Sequence, residues 1–157
     1  MEKKHTYSLQ VKWTGNRGTG TTGYSDYDRS HVISIDGKMD LQCSADPAFR
    51  GDNTKHNPEE MLLAALSSCH MLWYLHLCAD AGIVVVDYSD FASGLMIEKQ
   101  GGGGKFISVT LNPVVTITDD MKIDLANALH AEANKKCFIA NSCNFPVIHQ
   151  PKCLLAD

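Results

Sequence analysis

A chain of 157 residues, 44% apolar and 20% charged, has material for one hydrophobic core and too little for two domains of ordinary size. Its net charge of -4, with no cluster of Lys or Arg, argues against a nucleic-acid surface. No segment reaches about 18 uninterrupted apolar residues, so no membrane span is expected.

The first residues, MEKKHTYSLQVKW, carry basic groups with no apolar stretch behind them, which is not the pattern of a secretory signal. The expectation is a reducing, cytoplasmic setting, in which the six cysteines are mostly free thiols and any disulfide is a catalytic one. Thr6 to Thr14 alternates like a half-buried strand and ends at the turn Gly15-Asn16-Arg17-Gly18. Thr21 to Tyr27 and His31 to Ile35 read as a strand pair, with Asp36-Gly37 as a turn. From Met39 to His56, Pro47, Gly51, Asp52 and Asn53 break any periodicity, so an irregular connection is expected.

The stretch NPEEMLLAALSSCHMLWYLHLCADAG, Asn57 to Gly82, organises the chain. Asn57 suits an N-cap, Pro58 the first helical position, Glu59 and Glu60 the positive end of the helix dipole, and Gly82 the C-terminal stop. Pro58 to Ala81 makes a helix of about 36 Å. Its apolar residues cover nearly every azimuth, which predicts a central helix buried on all sides. Ser67, Ser68, Cys69, His70 and His76 interrupt it too often for a bilayer.

Beyond it, Ile83 to Val86 leads into a strand through Tyr88 to Glu98, and Phe106 to Ile117 forms another. Gly101 to Gly104 between them read as a flexible hairpin tip. They are no phosphate loop, because neither a Ser or Thr after Lys105 nor a following helix is present. Pro113 fits best at an edge or a bulge. Thr118-Asp119-Asp120 caps a second helix to about Lys136, with Leu125, Ala128, Leu129 and Ala133 as its apolar face. Phe145 to Leu155 supplies a last strand, interrupted by Pro151. The order gives an α+β fold, a helix pair packed on antiparallel sheet.

Cys69 lies mid-helix, where the dipole gives a thiolate little help. It is either a small buried hydrophobe or a nucleophile that needs a cation, for which Arg17, Arg29 and Arg50 are candidates. His70 points about 100° away round the helix, and His76 is about 10 Å along it. Cys137, at the end of the second helix, is a second thiol that helix packing can bring near. A metal site drawn from Cys69, His70, His76, Cys78, His130 and Cys137 lacks any CxxC or HxxxH spacing. Cys43, Cys78, Cys143 and Cys153 read as packing residues.

NPEEMLLAALSSC, followed by LHAEANKKCFIANSCNFPV, resembles the OsmC/Ohr family of thiol-dependent peroxidases. WTGNRGTGT is similar to that family's first turn and SADPAFRGD to a segment of one OsmC-like branch, so the resemblance spans almost the whole chain as one OsmC-like domain, residues 1–157. It implies an intertwined homodimer with antiparallel sheets, a long central helix and a second packed helix, and two sites at the interface. The implied activity is reduction of organic hydroperoxides to alcohols without cofactor or metal, recycled by a dithiol reductant, for example of the lipoyl type.

By the resemblance, Cys69 matches the peroxidatic cysteine, Cys137 the resolving cysteine, Arg17 the activating arginine and Glu59 the glutamate that orients it. Two departures are visible. Cys137 is followed by Phe138 where the family often has proline, and the glycine-rich turn around Arg17 aligns loosely, leaving Arg29 as the alternative. Glu59 and Cys69 are ten residues apart on one helix, about 15 Å, so a Glu59 that serves the site is expected from the partner subunit. The reading from another class is a non-catalytic dimer that binds a small apolar ligand.

Overall fold

The computed structural model describes residues 2–156, which form two compact units, one up to Met61 and the other from Leu62 onward. In the first, β1 (Gln10–Trp13), β2 (His31–Ser34) and β3 (Leu41–Cys43) make an antiparallel sheet in the order β1-β2-β3, with Val11 opposite Ile33 and Ile33 opposite Leu41. The turn expected at Asp36-Gly37 is there, with Gly37 at φ 74° and the Lys38 N–H bonded to the Ile35 carbonyl.

The strand expected over residues 21–27 is not. The stretch turns on itself instead: the Asp26 N–H bonds to the Gly23 carbonyl, the Arg29 guanidinium donates to the Tyr24 and Tyr27 carbonyls, and Tyr27 makes an isolated bridge to Asn16. β3 in turn lies inside the stretch expected to be irregular, its three residues too few for a period to register.

The long helix α1 (Pro58–Asp80) starts in a capping box: Asn57 Oδ1 accepts the Glu60 N–H at 2.8 Å and Glu60 Oε2 accepts the Asn57 N–H at 3.3 Å. It ends in a Schellman motif, with Gly82 at φ 65° and N–H bonds from Gly82 to Ala79 and from Ile83 to Cys78. The expectation of burial on all sides does not hold. Only Leu66, His70, Tyr74 and Cys78, spaced one turn apart, are buried, while Leu72 is 63% exposed. Apolarity at every azimuth marks surface suited to burial, not surface that one chain buries.

After α1, β4 (Val85–Asp90) and β5 (Ser93–Glu98) run out to a glycine tip, and β6 (Gly104–Leu111) and β7 (Pro113–Ile117) return. Gly101, Gly102 and Gly103 have positive φ, as the hairpin tip requires. The hairpin is split across its middle. β4, β7 and β9 (Lys152–Leu155) form one sheet, and β5, β6 and β8 (Val147–His149) another, each an antiparallel pair with a parallel third strand.

All three strand runs break at the same level, at Phe91-Ala92, Asn112 and Gln150-Pro151. Asp90 ties the break together by accepting the Asn112 N–H at 2.7 Å and the Ser67 hydroxyl at 2.5 Å. Pro113 is at neither an edge nor a bulge: it is the buried first residue of the central strand β7, where the break has already ended the ladder.

The second helix, α2 (Ile123–Lys136), follows a 3-10 turn capped by Asp119, whose side chain accepts the Met121 N–H. Its buried stripe is Ala126, His130 and Ala133, with Leu129 half-buried against the core. Of the expected face, Leu129 and Ala133 do pack on the core, whereas Leu125, 46% exposed, and Ala128 face outward. One core gathers Tyr74 and Cys78 of α1, Val115 and Ile117 of β7, and Ala126 and Ala133 of α2; another gathers Leu66 of α1 with Val109 and Leu111 of β6.

Candidate active site

The buried stripe of α1 fixes where Cys69 stands. His70 points into the core, and Cys69, one position earlier, is left half-buried beside it. Cys137 is the C-cap of α2, 1% exposed, with its sulfur accepting the Ala140 N–H at 3.4 Å and its carbonyl accepting the Asn141 N–H. The two thiols are neighbours. Burial, and then the adjoining Cys69 thiol, push Cys137 up to about 11, against a weaker opposite pull from the Ala140 N–H. At neutral pH Cys137 thus keeps its proton.

Aromatic groups from the body of α1 and from just past the end of α2 sit by the pair. Trp73, one turn after Cys69, meets Phe138, next to Cys137, edge to face at 5.8 Å, and Lys136 Nζ lies 5.5 Å from the Trp73 ring. Leu72, Trp73 and His76 line an apolar cleft of roughly 250 Å3. His76 itself is exposed and pairs with Asp80 at 3.4 Å.

Behind Cys69 lies a histidine cluster that joins both helices. His70 Nε2 and His130 Nδ1 share a hydrogen bond of 2.9 Å, His149 tilts against His70 at 5.7 Å between ring centroids, and Tyr74 stacks on His130 at 3.8 Å. Burial, with the neighbouring imidazoles, pushes His70 down to about 4 and His130 to about 3. His70 is therefore neutral at physiological pH and is no cation for Cys69. The available signal was the one-turn spacing Leu66-His70-Tyr74-Cys78 on α1 and its counterpart Ala126-His130 on α2.

Arg17 and Glu59 both belong to the first unit. Arg17, exposed at the tip of the glycine-rich turn, donates to the Ser25 carbonyl and stands 3.6 Å from Asp28. Glu59 has one carboxylate oxygen, Oε2, buried with no hydrogen-bond partner among the described residues. Arg29 is clasped between Tyr24 and Tyr27, its carbon 4.2 and 4.3 Å from their ring centroids. Among the described residues no group of three His, Cys, Asp or Glu side chains is arranged to hold a metal ion. Cys43 and Cys143 donate weakly to the Leu41 and Ile139 carbonyls, as packed thiols do, and burial raises both.

The family model for OsmC-like proteins matches residues 51–150. The chain belongs to the OsmC-like family. An OsmC-like protein of unknown function from Vibrio cholerae is 30% identical, with 95% of this chain and 100% of that one covered at a TM-score of 0.85. An organic hydroperoxide resistance protein from Elizabethkingia anophelis shares the fold at 16% identity, with 99% and 100% covered and a TM-score of 0.71. The organic hydroperoxide resistance protein OhrB of Bacillus subtilis does so at 18% identity, with 94% and 98% covered and a TM-score of 0.63. No curated protein matched by sequence. The OsmC-like fold agrees with the α+β architecture expected from the order of elements. α1 has the length and apolarity to cross a membrane, but its buried stripe, a histidine included, is packed within the protein's own core.

Proposed function

We propose that this OsmC-like protein is a thiol peroxidase that reduces organic hydroperoxides to alcohols. The observation that carries the reading is the Cys69-Cys137 pair, one sulfur half-exposed and the other buried and protonated beside it. The Cys69 thiolate attacks the outer peroxide oxygen. An S–O bond forms, the O–O bond breaks, and the departing alkoxide takes a proton to become the alcohol. Cys69 is then a sulfenic acid. Cys137 gives up its proton and displaces the hydroxyl as water, leaving a Cys69-Cys137 disulfide, which a small dithiol reduces by two exchanges.

The cation that meets the charge developing on the leaving oxygen is assigned to Arg17, since the nearby imidazole is neutral. Glu59 is its orienting partner, a role supported by the buried, unpartnered Oε2. On one continuous helix Glu59 and Cys69 are about 15 Å apart, so in this scheme the two serve different sites of a homodimer. A dimer is also supported by apolar surface that a lone chain leaves open, with Val11 58%, Leu72 63% and Leu95 55% exposed. The reducing cytoplasm suits a pair that must be recycled as thiols.

In the test, purified protein receives an organic hydroperoxide and a dithiol such as dihydrolipoamide. Cys69→Ser abolishes consumption, whereas Cys137→Ser allows one turnover and leaves a sulfenate at Cys69 that dimedone traps. Unchanged consumption by Cys69→Ser would remove this cysteine from the chemistry. The apolar cleft at Leu72, Trp73 and His76 favours the second reading, a non-catalytic binder of small apolar molecules. Peptide mapping after a brief peroxide pulse separates the two: a 69–137 disulfide belongs to the enzyme, and scattered or absent oxidation to the binder.

A further inference from the structure

The first unit contains a polar cleft of roughly 390 Å3 whose lining includes Arg29, Arg50, Lys55, Ser44, Asp28 and Asp52. Three of its charges, on Asp28, Asp52 and Lys55, are answered within the unit. Asp28 stands 3.6 Å from Arg17, and Asp52 stands 3.4 Å from Lys55, whose Nζ also donates to Ser30. Asp52 is held below the usual carboxylate range by hydrogen bonds from Thr54 and then by Lys55, so it stays an anion. Arg29 and Arg50 are not answered: neither has a carboxylate partner among the described residues. Yet both guanidinium carbons lie over the same Tyr24 ring, 4.2 and 5.9 Å from its centroid. One aromatic ring thus gathers two like charges at the edge of a cleft.

The backbone adds an independent sign. Arg50 is the only residue other than glycine with positive φ among the described residues, at φ 64° and ψ 29°. It caps the 3-10 turn Pro47–Phe49 in the left-handed region, where glycine is the low-cost choice. The next residue is glycine of necessity, because a Cβ on Gly51 would lie 1.6 Å from the Ala45 carbonyl oxygen. An arginine kept at a strained cap, with its side chain brought over Tyr24, points to a use for the guanidinium. Below it, Ser44 is buried, its hydroxyl oxygen accepting the Asp52 N–H at 3.0 Å, which leaves the hydroxyl proton free to donate.

We propose that this cleft binds a doubly charged tetrahedral oxyanion of the phosphate type, held between Arg29 and Arg50 with the Ser44 hydroxyl as a further donor. Arg29 is already fixed by its bonds to the Tyr24 and Tyr27 carbonyls, so it meets the anion with little loss of freedom. The Arg50 fork and the N–H groups of Arg29 not given to carbonyls suit such oxygens, and a dianion balances the two unanswered charges. The volume leaves room for a small organic group on the phosphate. The proposal is independent of the peroxidase chemistry.

The experiment measures melting temperature and titration calorimetry of the whole protein with inorganic phosphate, with glycerol phosphate and with succinate, each against chloride of equal ionic strength. Phosphate and its monoester raise the melting temperature, and succinate does not. If the monoester binds more tightly than inorganic phosphate, the ligand is an organic phosphate; if not, it is the free ion. Arg50→Gln weakens phosphate at least about tenfold, the loss expected for one charge-assisted contact. Arg50→Gly does the same, yet melts at a higher temperature than wild type in chloride, because it relieves the cap. Phosphate stabilisation no greater than that of chloride would overturn the site. So would equal phosphate affinity in wild type and both variants, and succinate binding as well as phosphate would overturn the tetrahedral assignment.

Discussion

Acid should unfold this protein through two buried imidazoles. His70 and His130 are each 1% exposed and share one hydrogen bond, while His70 Nδ1 and His130 Nε2 have no partner among the described residues. Burial is the main force that keeps them neutral. The surrounding imidazoles add to it, and Asp90 opposes it only at His70. An unfolded histidine titrates near 6.5, whereas the folded core holds His70 to about 4 and His130 to about 3. Below 6.5 the unfolded chain therefore binds protons that the folded state refuses, and stability falls as pH falls. The contribution is whole above 6.5 and is lost completely only once pH has passed the folded values.

Each histidine is worth ~1.4 kcal/mol per pH unit, so two independent imidazoles would lose about 4 kcal/mol between pH 6.5 and 5. Their mutual contact and relaxation of the core reduce this, and about 2 kcal/mol is expected, a large part of a typical stability of about 5–15 kcal/mol. Urea unfolding followed by circular dichroism at pH 7.5, 6.5, 5.5 and 5, at one protein concentration and with reductant present, measures it. His130→Phe keeps a ring against Tyr74 and should roughly halve the slope, whatever it does to stability at pH 7.5. A free energy constant within about 0.5 kcal/mol from pH 7.5 to 5, or an undiminished slope in His130→Phe, would refute the reasoning.

Leu66→Ala removes a fully buried side chain from the cluster with Val109 and Leu111 and should cost about 2–5 kcal/mol, read as a lower urea midpoint at unchanged slope. Gly82→Ala places a Cβ at φ 65° in the Schellman cap of α1 and should cost about 1 kcal/mol in the same assay. Trp73→Ala opens the aromatic contact with Phe138 beside the thiols and should lower kcat/KM for an aromatic hydroperoxide about tenfold or more while sparing hydrogen peroxide. Equal losses for the two peroxides would remove Trp73 from substrate recognition.

What the sequence disclosed of this molecule is what local chemistry decides. Asn57, Glu60 and Gly82 act on backbone groups within a turn of themselves, so both ends of α1 could be read directly. Pro113 and Pro151 stood at the level where the strands divide, but periodicity continues across a break of one or two residues, and the hairpin was read as unbroken. The azimuth of burial on α1 was beyond reading, because with apolar residues on every side no pattern favours one stripe over another. The histidine pairing was hidden for a related reason: one-turn spacing can set each imidazole on its own helix's stripe, but only the packing of α1 against α2 makes them partners. The thiols divide the same way. Each cysteine's place, mid-helix for Cys69 and helix end for Cys137, follows from periodicity, whereas their adjacency is a property of the packed core. The same packing leaves one sulfur half-exposed and the other buried, the asymmetry from which the proposed order of oxidation follows.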